Sequence, residues 1–126
     1  MAGDRVLIVE DNEKNMKLVR DILLALGYTP LEATSGEEAL ALAAEEAPAL
    51  VLMDIQLPDL DGAEALRRLR SDERTAGIPV LALTAQAMQG DRERFLAAGF
   101  DGYLSKPVDV DELITTVQSY CDGSAE

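Results

Sequence analysis

The chain has 126 residues, which is the size of a single domain built around one hydrophobic core. Aromatic residues make up 4% of the sequence, against 48% for all hydrophobic residues, so we expect an aliphatic core. Acidic residues number 24 against 11 basic ones, and the formal net charge of −13 argues against direct binding to nucleic acid or to anionic membrane surfaces.

The cysteine and histidine content excludes several kinds of site. Cys121 is the only cysteine, which excludes an intramolecular disulfide and a cluster of thiolate ligands. The sequence has no histidine, which excludes serine–histidine and cysteine–histidine catalysis, histidine metal ligands and a phosphohistidine on this chain. No secretory signal and no apolar run of about 18 residues is present, so we expect a cytoplasmic protein.

Strand-like and helical patterns alternate along the chain. Short apolar runs predict strands at 6–9, 29–33, 50–53, 78–83 and 102–105. The spacing of apolar residues predicts helices at about 13–26, 35–47, 62–70, 88–98 and 109–121. Gly27 suits the end of the first helix, and Ser35 with Glu38 forms a capping box that starts the second. Pro30 places the second strand at an edge of the sheet.

The character of the strands predicts how they are arranged. The first, third and fourth are apolar throughout, which is typical of a parallel sheet covered by helices on both faces. The weaker second and fifth strands then lie at the edges. With right-handed crossovers, this gives the strand order 2-1-3-4-5. The sequence therefore predicts an α/β fold of the flavodoxin-like, doubly wound (βα)5 type with a central parallel five-stranded sheet.

Charged and hydroxyl side chains follow the carboxyl ends of four predicted strands. These residues are Glu10, Asp11, Asp54, Thr84 and Lys106. In a doubly wound sheet, ligands bind at this edge, where the strand order reverses. Carboxylates gathered there repel one another unless a cation lies among them, and oxygen ligands favour Mg²⁺. A carboxylate beside Mg²⁺ can form an aspartyl phosphate, whose charge the lysine and the threonine hydroxyl could neutralise.

Each of these residues also has an ordinary structural explanation. An aspartate after a strand is most often a turn or cap residue, and Glu10 and Asp11 could simply cap the first helix. Thr84 could form a turn at a strand end, and Lys106 could be a solvated lysine. Together the residues favour a site, because every one of these explanations would have to hold at once.

Three other classes of protein fit the sequence less well. A phosphatase of the haloacid-dehalogenase type would need a second acid where Gln56 stands. No GxxxxGK[ST] or GxGxxG motif follows any predicted strand, which argues against nucleotide binding. The acidic loop after the first strand would repel the phosphate of a flavin.

Four stretches match the motifs of a known family. They are VLIVEDNEKN at 6–15, LVLMDIQLPDLDG at 50–62, LALTAQA at 81–87 and YLSKP at 103–107. Taken jointly, they resemble the CheY-like response-regulator receiver domain of two-component systems. EDNEKNMKL, MDIQLPDLDG and TAQAMQGDRE especially resemble single-domain, cell-division-type (DivK-like) regulators and the receivers of hybrid histidine kinases. We therefore expect one receiver domain over residues 1–126, with its core at about 4–121.

The resemblance implies a phospho-acceptor and a Mg²⁺ site. Asp54 would accept the phosphoryl group and contact the metal ion. Asp11 would bind Mg²⁺ directly, and Glu10, which stands where aspartate is commoner in the family, would do so through water. The backbone carbonyl of Gln56 would be the third protein ligand.

The resemblance also implies the residues that transmit the signal. Lys106 would contact the phosphoryl group, and a cis bond to Pro107 would aim the lysine inward. Thr84 would be the switch hydroxyl that moves toward the phosphate. Tyr103 would be the switch aromatic residue that turns inward afterwards.

A signalling role follows from the same resemblance. The phosphoryl group would come from a phosphohistidine on a histidine kinase or a histidine phosphotransfer protein, and phosphorylation would shift a conformational equilibrium. The face formed by the fourth helix, fifth strand and fifth helix would bind a downstream protein. We expect a monomer that catalyses only its own phosphorylation and dephosphorylation.

Two alternatives stay open at this point. The chain could be a pseudo-receiver that docks partners without phosphorylation, although all the expected site residues are present. It could also be a receiver excised from a hybrid kinase. The start of the sequence and its short tail after the last helix favour a stand-alone protein.

Overall fold

Five strands alternate with five helices in the part of the chain that the structure describes. The computed structural model describes residues 4–57, 59–60, 62–84, 91–106 and 108–121. The strands are β1 (Arg5–Val9), β2 (Thr29–Ala33), β3 (Leu50–Asp54), β4 (Val80–Thr84) and β5 (Gly102–Ser105). The helices are α1 (Glu13–Ala25), α2 (Gly36–Glu46), α3 (Gly62–Ser71), α4 (Asp91–Ala98) and α5 (Val110–Cys121). None of these helices has the length and apolar character of a membrane span.

All five strands are parallel, and their order is β2-β1-β3-β4-β5. The predicted doubly wound topology is thereby confirmed, with β2 at one edge, as Pro30 indicated. The order reverses between β1 and β3, where Val9 lies opposite Met53. The next residues along these two strands are Glu10 and Asp54, so the register itself brings the two carboxylates side by side.

Successive side chains along a strand point to opposite faces of the sheet, so the core has two layers. In β1, Val6 and Ile8 face α1 and α5, whereas Leu7 and Val9 face α2 and α3, and all four side chains are fully buried. An aliphatic side chain of this size stabilises the fold by about 1.5–3 kcal/mol when it is buried. Because both faces of the strand are covered, its sequence is apolar without alternation.

The fourth strand begins later than predicted, at Val80 instead of residue 78. Two side chains form hydrogen bonds with backbone groups there. The guanidinium of Arg70 donates to the Ile78 carbonyl at 2.7 Å. The backbone N–H of Val80 donates to Asp101 Oδ2 at 2.8 Å, and the same oxygen accepts from Arg70 at 3.0 Å. Pro79, which has no N–H to donate, directly precedes the strand, although its carbonyl still accepts from the N–H of Val51 at 3.0 Å.

The ends of the helices agree with the capping residues predicted from the sequence, with differences of one residue in position. Ser35 caps α2 as predicted, accepting from the Glu38 backbone N–H at 3.2 Å. The Glu38 carboxylate returns to the N–H of Thr34 at 2.8 Å, one residue before the cap. Asp109 caps α5, accepting from the N–H of Glu112 at 3.0 Å, so this helix begins at residue 110. Residues 88–90, where the fourth helix was predicted to begin, lie outside the described residues.

Candidate functional site

Three carboxylates meet beyond the ends of β1 and β3. Glu10 and Asp11 follow β1 and Asp54 ends β3, and one oxygen from each lies within 4.8 Å of the others. Glu10 and Asp54 are 1% and 6% exposed, whereas Asp11 is open to solvent. The convergence predicted from the strand ends is therefore present, with two of its three acids in the interior.

The Lys106 ammonium lies between the two buried carboxylates. Its backbone N–H donates to the Thr84 carbonyl at 2.8 Å, which continues the pairing of β4 with β5 by one residue. This places Lys106 Nζ 2.7 Å from Asp54 Oδ2 and 2.7 Å from Glu10 Oε1. The lysine thus lies beside the predicted acceptor oxygen, as the sequence indicated.

Backbone amides orient the other oxygen of each buried acid. Asp54 Oδ1 accepts from the N–H of Gln56 at 2.8 Å, and Glu10 Oε2 accepts from the N–H of Asn12 at 3.1 Å. In both cases the donor stands two residues after the acid, a local turn that carboxylates commonly form. Both carboxylates are therefore held in defined orientations by the loops that follow them.

The electrostatics of the site leave negative charge without full compensation. Burial raises the pKa of the Glu10 carboxyl above its ordinary value, and the nearby Asp54 charge adds to this effect. Burial alone would lower the pKa of Lys106, but its contacts with Asp54 and Glu10 outweigh that effect and raise it. Among the described residues, one ammonium faces three carboxylates, so the cluster favours a further cation.

A divalent cation fits this donor set. The side-chain ligands are oxygen atoms only, which suits Mg²⁺. Glu10 Oε1 is buried and close to Lys106 Nζ, yet it has no hydrogen bond of good alignment from the described residues. The ammonium that faces this oxygen is shared with Asp54, and a metal ion or its water would complete its coordination. Glu10, Asp11 and Asp54 are thus suited to hold Mg²⁺, whereas the role of the Gln56 carbonyl stays a prediction.

The two predicted switch residues lie on neighbouring strands. Thr84 ends β4, is 1% exposed and lies one residue beyond Leu83, the partner of Asp54 in the sheet. Tyr103 lies in β5 opposite Ala82 and is half-buried against the core layer that also contains α3. Their placement suits the expected switch, while their movement stays a prediction. The predicted cis bond between Lys106 and Pro107 involves a residue outside the described ones.

One contact near the site was not predicted from the sequence. Asp59, in the loop after β3, accepts from the backbone N–H groups of Gly36 and Glu37 at 2.8 and 3.0 Å. These hydrogen bonds join segments that are 23 and 22 positions apart, so no local pattern reports them. They tie the loop that follows the acceptor to the first turn of α2.

Comparison with known proteins identifies the family. The model of the response regulator receiver domain matches residues 6–118. The chain belongs to the response regulator receiver family. The receiver is 52% identical over 115 residues to the polar-differentiation response regulator DivK of Brucella ovis, covering 91% of this chain and 94% of that protein. The predicted resemblance to DivK-like regulators of two-component systems is thereby confirmed.

Two solved structures illustrate the likeness of the receiver. The receiver domain of a Pseudomonas aeruginosa sensor histidine kinase, which has a magnesium ion coordinated in its active-site cleft, is 40% identical with a TM-score of 0.86. That match covers 94% of this chain and 98% of the other. A Saccharomyces cerevisiae receiver domain co-crystallised with a histidine phosphotransfer protein is 30% identical with a TM-score of 0.87, over 99% of this chain and 93% of the other.

Proposed function

We propose that this receiver accepts a phosphoryl group on Asp54 from a phosphohistidine of a histidine kinase or phosphotransfer protein, with Mg²⁺, and signals by changing its protein–protein binding. The observation that carries the proposal is the position of Lys106 Nζ, 2.7 Å from Asp54 Oδ2, inside a cluster of three carboxylates. A buried acid that only stabilised the fold would gain nothing from two further acids at the same place.

In this proposal, each residue of the site has a part in the transfer. An Asp54 oxygen attacks phosphorus as the bond between phosphorus and the donor's imidazole nitrogen breaks, and the imidazole leaves with the electron pair. The Lys106 ammonium neutralises one phosphoryl oxygen, and the Thr84 hydroxyl donates to another. Mg²⁺, held by Glu10, Asp11 and Asp54 with the carbonyl of Gln56, would supply positive charge against the remaining oxygen.

The output surface in this proposal is the face of α4, β5 and α5. Tyr103 and Leu96 line a depression there together with Glu112, and Leu96 is 42% exposed. Glu93 and Arg94 are exposed on α4 and would give the face charge selectivity. Two of the solved relatives support a role in signalling by contact, since one belongs to a histidine kinase and the other was crystallised with a phosphotransfer protein.

The proposal also covers the oligomeric state of the receiver and its location in the cell. It would be a cytoplasmic monomer and not a turnover enzyme, since its only reactions are phosphorylation and dephosphorylation of itself. In this proposal the signal leaves through binding to another protein. A receiver of this kind serves equally as a stand-alone regulator or as part of a hybrid kinase.

The test is the intact mass of the protein after incubation with acetyl phosphate, with and without Mg²⁺. We expect one phosphoryl adduct that requires Mg²⁺ and is absent from Asp54→Asn. The matched control is Asp21→Asn, which changes an exposed aspartate on α1 and should leave the adduct unchanged. A folded protein that takes up no phosphoryl group would contradict the proposal and favour a docking module that works without phosphorylation.

A further inference from the structure

The loop between β3 and α3 is bound to the first turn of α2. The Asp59 carboxylate uses both of its oxygens, Oδ1 toward the N–H of Gly36 and Oδ2 toward the N–H of Glu37. These N–H groups belong to the first turn of the helix, where the helix itself supplies no acceptor. The hydrogen bonds lower the pKa of Asp59, so the residue is ionised when it makes them.

Side-chain packing makes the same connection. A Cβ atom at Gly36 would lie 2.8 Å from Leu60 Cδ1 and 2.9 Å from Leu60 Cβ, closer than packed carbon atoms approach. The loop therefore rests directly on the helix backbone at a position where only glycine leaves room. Asp59, with two hydrogen bonds, and Leu60, with an apolar contact, together fix the loop.

The loop is also closed at its base. The N–H of Gly62 donates to the Ile55 carbonyl at 2.9 Å, and a Cβ at Gly62 would lie 2.7 Å from Ile55 Cα. Gln56 lies between this closure and the Asp59 contact, with its N–H on Asp54 Oδ1. The backbone at Gln56 is therefore restrained from both sides.

The same corner of the fold holds the other half of the acidic cluster. The N–H of Glu10 donates to the carbonyl of Ala33 at 3.0 Å, at the end of β2. Three residues later α2 begins, with Ser35 as its cap. The start of α2 thus connects the strand end that carries Glu10 with the loop that carries Gln56.

We infer that Asp59 is a positioning residue for the metal site: by tying the β3–α3 loop to the start of α2, it holds the Gln56 backbone in place relative to Glu10 and Asp54. The inference rests on the proposed Mg²⁺-dependent function. Mg²⁺ requires near-ideal octahedral geometry, so a small displacement of one ligand weakens binding disproportionately. Residues that orient metal ligands typically change affinity by about 10–100-fold when mutated.

The experiment is calorimetric titration of the folded protein with Mg²⁺. We expect Asp59→Asn to weaken Mg²⁺ binding by about tenfold or more. The asparagine side chain has one acceptor oxygen in place of two and lacks the negative charge that binds the helix N–H groups. The matched control is Ser35→Ala, which removes a capping bond from the same helix end without touching the loop and should leave the affinity unchanged. Glu37→Gln controls for the loss of one negative charge nearby.

A second variant and a second readout separate positioning from helix capping. Gly36→Ala keeps every charge but pushes Leu60 away, so it should also weaken Mg²⁺ binding. Amide hydrogen exchange without Mg²⁺ should become faster at Gln56 in Asp59→Asn and stay unchanged in Ser35→Ala. If Asp59→Asn binds Mg²⁺ as tightly as the wild type, the inference about Asp59 is overturned while the proposed function stands. The same holds if Ser35→Ala loses as much Mg²⁺ affinity as Asp59→Asn. A wild-type protein that binds no Mg²⁺ would overturn the proposed function and this inference with it.

Discussion

The Lys106 ammonium and the Asp54 carboxylate form an ion pair of 2.7 Å at the edge of the sheet where both strands end. The lysine side chain is 15% exposed and the aspartate side chain 8%, so water screens the pair weakly. The ammonium is also shared, since Glu10 Oε1 lies 2.7 Å from it as well. This arrangement suits a lysine that exchanges a carboxylate partner for a phosphoryl oxygen.

Replacing that lysine should slow phosphorylation without unfolding the protein. Lys106→Met removes the charge and keeps the length of the side chain, so the phosphoryl oxygens lose one of their counter-charges. We expect the rate of adduct formation with acetyl phosphate to fall by about 10²–10³-fold, the usual cost of one electrostatic contact in a transition state. Lys17→Met is the control, since Lys17 pairs with Asp21 on the surface of α1. Equal rates in both variants would contradict the role of Lys106.

Mg²⁺ should stabilise the folded protein through Asp11. At 100 times its dissociation constant, a ligand that binds only the folded state adds about 2.7 kcal/mol to the free energy of unfolding. Asp11 is exposed, so Asp11→Asn should unfold at the same urea concentration as the wild type in the presence of EDTA. With Mg²⁺ present, the wild type should gain stability and the variant should gain much less. Glu13→Gln is the control at the start of α1.

The Thr84 hydroxyl should matter more for transmission than for uptake of the phosphoryl group. Beryllofluoride, which mimics the phosphoryl group, should bind both wild type and Thr84→Ala in the presence of Mg²⁺. In the wild type we expect NMR shifts at Tyr103 on β5, which should be lost in Thr84→Ala. Thr84→Ser keeps the hydroxyl and should restore them. Unchanged shifts in the alanine variant would show that Tyr103 responds through another route.

Acid should weaken the network of ion pairs on the surface of α3. Hydrogen bonds from Arg67 and Arg68 lower the pKa of Glu64 from 4.5 to about 2. A lowered folded-state pKa contributes stability that is present above pH 4.5 and is lost as the pH falls toward about 2. NMR titration should find this low pKa in the wild type, and it should return toward the ordinary value when both arginines are replaced by glutamine. A wild-type value near 4.5 would contradict the network.

Most of the fold and the centre of the site follow from local patterns. The apolar run from Val6 to Val9 predicts a strand buried on both faces, and each of its side chains is buried in one of the two core layers. Strand order and parallel register then bring Glu10 and Asp54 together without further information. The positions of these carboxylates were predictable because strand ends in a parallel sheet share one edge.

Contacts between distant loops were not predictable in this way. The side-chain contacts at the start of β4 depend on Arg70 and Asp101, which are 31 positions apart and meet only in the folded chain. The contact of Asp59 with α2 likewise depends on the approach of a loop to a helix end. In both cases a carboxylate binds a distant backbone N–H group, and the identity of the residue alone does not reveal which group it will reach.

The proline in the edge strand has a consequence for how copies of this protein meet. The N–H of Thr29 points inward, donating to the Asp4 carbonyl at 2.9 Å, so the next backbone nitrogen along β2 faces outward. That nitrogen belongs to Pro30 and carries no hydrogen. An outer edge with a missing donor is a poor template for a strand from another molecule, and such gaps protect against edge-to-edge aggregation. The residue that interrupts the pattern of β2 thereby helps to keep crowded copies of the protein from joining into one continuous sheet.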